Sequence, residues 1–404
     1  MKPVGVNMIN VKQINRKSVL QLLLRSGPLS RTDLAAELNL TTATLTSICS
    51  DFLQKRLLLA SNKSRTQTLG RQKCPLEINP SYKYVLAISL HYTGHVIAIT
   101  NLLGDPVAIS EFSLPRPYTA VAFLKELANT CVRLLWENNI PCEKVLGAGV
   151  GMIGSVNQDK GISLHPFKIF EEDQVPIRDI LQAEFPFPVC VENNMCAYLN
   201  AEYLFGSAQA SNVLAIKWGP GVGSASSIDG QICKDHLYHS AEVGHTYFYT
   251  SSNRLCKCGR KGCLETGVNL DRFVEVIQSL LPNQPALQAV QQKCGDPSFE
   301  NIETYIGADC TALTEQIRPL IHDFAIGVSN AIQVFSPDQV LLFGVLFESP
   351  NIAETFLNDI LQINPLLSRK LFCKSALGWR KEYLGPAATA INIFLVETGG
   401  NLPE

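Results

Sequence analysis
The spacing of apolar positions changes once along the chain, near residue 80. Before it, apolar residues recur at helical intervals. Ile14, Val19, Leu22 and Leu23 form a stripe within Val11–Arg25, which Ser26-Gly27-Pro28 ends. Ser30 reads as the cap of a second helix, Arg31–Leu38, and Asn39-Leu40 as a short turn. Thr41 or Thr42 then caps a third helix running to about Lys55, with Ala43, Leu45, Ile48, Phe52 and Leu53 as its inner face. Leu57-Leu58-Leu59 and Leu76-Glu77-Ile78 read as two short strands.

From Tyr84 the pattern becomes that of strands alternating with helices. Val85–Ser89, His95–Leu102 and Val107–Phe112 are separated by turns at Thr93-Gly94 and Gly104-Asp105, and a helix follows over Ala120–Glu137. Val145–Val150 runs into the glycine-rich stretch Gly147–Gly154. Val189-Cys190-Val191 ends in Glu192-Asn193-Asn194 and enters a helix to about Phe205. Val213–Lys217 opens onto Gly219-Pro220-Gly221-Val222-Gly223. A long helix over Leu313–Phe335, a strand over Gln339–Phe343 and a last helix from Gly385-Pro386 complete the pattern. This alternation predicts an α/β body, with ligands bound at polar and glycine-rich strand ends.

Two helices joined by a short turn, followed by two strands, predict a winged helix-turn-helix. Its recognition helix would present Thr42, Thr44, Thr46 and Ser47 near its N-terminal end, where base edges are reached, with Arg31 on the preceding helix. The loop between the strands carries Lys63, Arg65, Arg71 and Lys73 around Gly70. Such a loop can set cations on phosphates or an arginine in a narrow minor groove. A small helical interaction module with a solvated charge run would fit the same residues less closely.

Charge sharpens this division. Residues 1–80 hold twelve Lys/Arg against four Asp/Glu, an excess of eight positive charges. With the whole chain at −2, the remainder carries −10. A basic head on an acidic body points to a polyanion for the head alone. At 404 residues and 46 % hydrophobic, the chain is long enough for two or three domains. No apolar run reaches about eighteen residues, so no membrane insertion is expected. No secretory leader is visible, and the thirteen cysteines are mostly isolated in apolar runs, which places the protein in the cytoplasm with reduced thiols.

The chemistry concentrates between Glu242 and Glu265. Cys256, Cys258 and Cys263 fall within eight residues, with Gly259 and Gly262 between the second and third. That spacing lets three thiolates converge, and a tetrahedral zinc takes a fourth N or S ligand, for which His245 lies a short loop upstream. With four protein ligands the ion would be structural. Glu242 and Glu265 flank this knuckle and could accept hydrogen bonds from sugar hydroxyls.

These elements together resemble the ROK family (repressors, open reading frames and kinases), in particular its winged-helix branch of glucose and N-acetylglucosamine repressors. The resemblance covers nearly the whole chain and is carried most specifically by Glu242–His245 and Cys256–Glu265. It implies a winged helix-turn-helix at 1–80 and a two-lobed, actin-like sugar-kinase domain at 83–404. One lobe would span about 83–195 with 385–404, the other about 196–384. It also implies zinc on His245, Cys256, Cys258 and Cys263, and sugar contacts from Asn193, Glu242, His245 and Glu265, with Asn194 beside them.

Two departures separate the chain from the family's kinases. Their Asp-x-Gly-Gly-Thr phosphate loop is replaced by Ser89-Leu90-His91-Tyr92-Thr93, whose bulky side chains obstruct close backbone approach to phosphates. The catalytic aspartate is replaced by Asn194, whose amide cannot serve as a general base. The expectation is therefore a non-enzymatic repressor of carbohydrate genes, a homodimer or homotetramer on double-stranded operator DNA, relieved by a sugar or sugar phosphate. A protein signal, for instance a sugar-transport component, is the alternative; an ATP-dependent sugar kinase is the weakest reading.

Overall fold
The computed structural model describes residues 8–61, 74–91, 94–167, 169–234 and 240–402. They belong to two units, one drawn from Met1–Gly206 with Glu382–Glu404 and the other from Ser207–Lys381. The first begins with α1 (Met8–Ser26), α2 (Arg31–Leu38) and α3 (Thr42–Gln54). Ser30 and Asp33 cap α2 reciprocally: the Asp33 amide donates to Ser30 Oγ at 3.2 Å, and the Ser30 amide to the Asp33 carboxylate at 3.4 Å. Thr41 Oγ1 accepts from the Thr44 amide at 3.2 Å and starts α3. Between them Asn39 turns the chain at φ 51°. Short strands β1 (Leu58–Ala60) and β2 (Leu76–Ile78) pair antiparallel, Leu58 opposite Ile78. The basic loop that joins them, with Lys63, Arg65, Gly70, Arg71 and Lys73, lies outside the described residues.

Two positions of the expected inner faces point outward. Ile14 is 58 % exposed and Ala43 is exposed. At about 100° per residue Ile14 stands half a turn from Leu23, and Ala43 nearly half a turn from Leu45. Leu20, Leu23, Leu34, Leu45, Ile48 and Phe52 fill the interior of this head.

The body of the first unit is a sheet of order β5-β4-β3-β6-β9. Its strands are β3 (Tyr84–Leu90), β4 (His95–Asn101), β5 (Pro106–Phe112), β6 (Val145–Met152) and β9 (Val189–Asn193), with α4 (Ala120–Glu137) after β5. β3, β4 and β5 run antiparallel, and β3, β6 and β9 parallel. A hairpin of β7 (Ser155–Asn157) and β8 (Ile162–His165), then α5 (Ile177–Gln182), separate β6 from β9, and α6 (Asn194–Phe205) follows directly. Residues alternate between the faces of a strand. Ala148, Val150 and Met152 of β6 therefore join the core under α4 and α5, and Gly147, Gly149 and Gly151 face the other way.

The second unit carries a sheet of order β12-β11-β10-β13-β14. Its elements are β10 (Val213–Trp218), β11 (Val222–Ile228), β12 (Gln231–Ile232), α7 (Glu265–Val268), α8 (Leu270–Leu280), α9 (Pro285–Cys294), α10 (Ile302–Ile306), α11 (Thr311–Phe335), β13 (Gln339–Phe343), α12 (Pro350–Ile363) and β14 (Phe372–Lys374). Trp218 centres its core: the fully buried indole stacks on Phe324 at 4.0 Å and its Nε1 donates to the Val268 carbonyl at 2.7 Å.

The chain then returns to the first unit as α13 (Leu384–Ile391), which continues through a single π-helical stretch, Asn392–Val396. α13 packs on α6 and against β3 and β6. Gly149 allows this approach, because a Cβ there would overlap the Pro386 carbonyl. The glycine-rich stretch of β6 thus serves helix packing. α6 belongs with this unit through the same contact, so the division falls at Gly206, beyond the lobe boundary expected near 195.

Candidate functional site
His245, Cys256, Cys258 and Cys263 present four ligand atoms that all lie within 4.8 Å of one another. Local backbone builds this cluster. The Cys256 amide donates to the Arg260 carbonyl at 2.7 Å and the Gly259 amide to the Cys256 carbonyl at 2.9 Å. Gly259 and Gly262 take φ 82° and 79°, conformations that side-chain-bearing residues rarely adopt. Cys258 and Cys263 Sγ stand 3.6 Å apart, and Cys256 Sγ lies 3.4 Å from His245 Nδ1. A zinc with Zn–S near 2.3 Å and Zn–N near 2.0–2.1 Å has tetrahedral edges of about 3.8 Å between sulfurs and about 3.6 Å between sulfur and nitrogen. The donor set and its spacing fit that ion.

The thiols differ in their electrostatics. Burial, then the hydrogen bond to Glu265, pushes the Cys256 thiol far up. Burial also opposes ionisation of Cys258, yet the Arg260 guanidinium and neighbouring donors bring that thiol below its ordinary range. Arg260 Nε donates to Cys258 Sγ at 3.5 Å.

Both flanking carboxylates adjoin the histidine. Glu265, 8 % exposed, has Oε1 2.8 Å from Cys256 Sγ and 3.7 Å from His245 Nδ1. Its Oε2 accepts from the Val222 amide at 3.4 Å, which ties it to the turn at Gly219–Gly223. Glu242 Oε2 lies 3.8 Å from His245 Nε2. The ring therefore turns Nδ1 toward the thiols and Nε2 toward Glu242. Strand β11 holds this segment: Ser224 Oγ accepts from the Val243 amide at 3.0 Å and donates to the Ala241 carbonyl.

Asn193 and Asn194 sit where β9 passes into α6. The Asn193 side chain works as the helix cap, its Oδ1 accepting from the amides of Met195 at 2.8 Å and Cys196 at 3.3 Å. Its Nδ2 donates to the Gly154 carbonyl at 2.8 Å. One N–H is left for another acceptor. Asn194 is the first residue of α6 and is half-buried.

The end of β3 is tied in a way the sequence did not suggest. Ser89 Oγ donates to the Glu382 carbonyl at 3.0 Å, and His91 Nε2 lies 3.0 Å from the Glu382 carboxylate. A carboxylate thus stands beside the end of β3. Tyr92 and Thr93 lie outside the described residues.

On α3, Thr42, Thr46 and Ser47 are exposed, and Thr44 is half-buried. Thr46 Oγ1 donates to the Thr42 carbonyl at 2.7 Å, leaving its lone pairs and methyl outward. Arg31, half-buried at the start of α2, has no acceptor for its Nε among the described residues. Arg65 and Arg71 fall outside them. No described helix is long and apolar enough to cross a membrane.

A helix-turn-helix head with short wing strands, joined to a body of two mixed five-stranded sheets, defines an actin-like, sugar-kinase-type protein carrying an N-terminal head. The chain belongs to the ROK family, whose model matches residues 86–376. It is 23 % identical over 352 residues to a xylose repressor of Caldicellulosiruptor bescii, covering 83 % of this chain and 86 % of that one. It is 22 % identical over 364 residues to the DNA-binding transcriptional repressor Mlc of Escherichia coli K12, covering 86 % and 85 %. The crystal structure of a ROK family transcriptional regulator, a homolog of E. coli Mlc, superposes with a TM-score of 0.74 at 21 % identity, covering 96 % and 97 %.

Proposed function
We propose that the protein is a transcriptional repressor of carbohydrate-metabolism genes that binds double-stranded operator DNA through α3 and the wing. A sugar or sugar phosphate held by the body would relieve it. What supports this reading is the pairing of a helix-turn-helix head with a ROK body whose sequence departs from the pattern expected of the family's kinases at two places. Asn194 offers an amide where a proton acceptor is needed, and Ser89 and His91 are bonded to Glu382 where a phosphate cradle would lie.

In this reading Glu242 and Glu265 of the second unit hydrogen-bond ligand hydroxyls, and His245 Nε2 presents its outer edge; in the first unit the free N–H of Asn193 and the amide of Asn194 are suited to the same kind of bond. His245, Cys256, Cys258 and Cys263 would hold a structural zinc that fixes the loop between the two carboxylates. A ligand shifts the protein toward release only by binding one arrangement more tightly than the other. A homodimer or homotetramer in the cytoplasm would read a two-fold symmetric site.

The test combines two measurements on the full chain. A duplex selected from a random pool should bind with steep salt dependence, as release of condensed counterions requires. Thermal-shift screening against hexoses, pentoses, amino sugars and their phosphates should show one class that stabilises the protein and weakens that duplex. Affinity that stays flat between low and physiological salt would remove the DNA half.

The full use of Asn193 Oδ1 as a helix cap favours a second reading, in which a protein such as a sugar-transport component is the signal. A screen in which no sugar shifts the melting temperature would move that reading ahead.

A further inference from the structure
Residues 397–401 run along the head and bond to two of its helices. On α1, Gln13 Nε2 donates to the Glu397 carbonyl at 2.9 Å, and Lys17 pairs with the Glu397 carboxylate. One turn on, Arg16 Nε donates to the Gly399 carbonyl at 2.6 Å. The same guanidinium donates through Nη1 to Asp51 Oδ2 on α3 at 2.6 Å and through Nη2 to Asn401 Oδ1 at 3.4 Å. Its carbon stands 4.4 Å over the Phe52 ring. Lys55, the residue that ends α3, bridges Asp51 at 3.3 Å and Asn401 at 3.1 Å. Gly400 takes φ 75°, and a Cβ there would come within 2.8 Å of Phe52 and 3.0 Å of Leu57.

Arg16 is only 5 % exposed. A buried guanidinium that loses Asp51 is left with uncompensated charge, and one that loses the Gly399 carbonyl with an unsatisfied donor, so both bonds resist separate breakage. α3 is therefore tied to the 397–401 segment through a shared cation. That segment continues α13 through the π-helical stretch at Asn392–Val396, a feature often found at functional sites. α13 packs on α6, whose first residue is Asn194, and α6 also touches α1. Packed elements thus run without a break from the start of α6 to Asp51 on α3.

We propose that residues 397–401 are a transmission strap that sets the pose of α3 through Arg16, coupling DNA on the head to movement of α6 and α13. This rests on the DNA-binding reading above. Coupling is reciprocal, so DNA must act on the strap as the strap acts on DNA.

The experiment follows amide hydrogen exchange of the full chain with and without a duplex selected by the wild type, and measures duplex affinity of Gly400→Ala and Asn401→Ala. Duplex should slow exchange across 384–401 at least about threefold. Gly400→Ala should weaken affinity about tenfold and Asn401→Ala about threefold, both with an unchanged salt slope because phosphate contacts are untouched. Should Gly400→Ala fail to fold, the exposed Asn401→Ala carries the same reading. Protection confined to α1–α3, or affinities of both variants within twofold of wild type, would overturn the strap. If the wild type selects no duplex, the DNA reading falls and exchange alone decides. Asn401→Ala, or Gly400→Ala where it folds, must then speed exchange in 48–54 severalfold, and unchanged rates would end the proposal.

Discussion

Single side chains in this protein show how strongly placement alters chemistry. His95 opens β4 with its ring edge-on to Phe123 at 4.9 Å and its Nδ1 buried, without a partner among the described residues. Burial, then the nearby charges of His91 and Arg116, lowers its pKa to about 4. The native state therefore holds His95 neutral while the unfolded chain would protonate it near its ordinary value of about 6.5. Its contribution to stability is complete above that value and is lost as pH falls toward about 4. We expect the wild-type melting temperature to fall roughly 3–6 °C more than that of His95→Gln between pH 7 and pH 4.5, allowing for solvent at the ring's open edge. Parallel melting curves for the two proteins would show that the ring does not titrate in this way.

At the scale of elements, the knuckle is the part that the proposed zinc would order. The described residues from Cys256 to Cys263 contain turns and isolated bridges but no regular helix or strand. Metal analysis of protein purified without chelator should give one zinc per chain, and Cys258→Ala should lower both zinc content and, by at least about 5 °C, the melting temperature. Full stability with no zinc would leave the cluster as four unliganded side chains. The legibility of this cluster in the sequence is explained by locality: its four residues lie between His245 and Cys263, and the turns that gather them are short. The head was readable for the same reason, since Ser30, Thr41 and the stripes on α1 to α3 act within a few residues. Contacts across long stretches of chain left no such trace. Nothing near Ser89 announces Glu382, and nothing near Gly149 announces Pro386. Asn193 was legible as a polar residue at a strand end, but its role as a cap depended on α6 starting one residue later.

For the whole molecule, the two kinds of sites divide between units. Ser89, His91 and Asn194, which the proposed reading sets in place of a kinase's catalytic parts, all lie in the first unit, and the cluster proposed to hold zinc lies with Glu242 and Glu265 in the second. Restoring a carboxylate at one position should therefore not restore an enzyme. Asn194→Asp should show no ATP-dependent phosphorylation of any sugar in a coupled ADP-release assay. A lost general base accounts for about 10²–10⁴-fold, and the missing phosphate cradle adds to it. Steady turnover by that single variant would mean that the end of β3 can still receive phosphates. The strap has a further consequence, in the order in which the protein is made. Arg16 and the carbonyl it holds are 383 residues apart in sequence. At about 5–20 residues per second, the ribosome releases the head, complete at Ile78, roughly 15–65 s before residues 397–401 emerge. Throughout that interval α3 has only the head's own contacts, among them Arg16 with Asp51, and lacks the strap proposed above. In the proposed reading, a polypeptide stopped short of Gly399 would keep that state for good: able to meet DNA, but deaf to the body that should govern it.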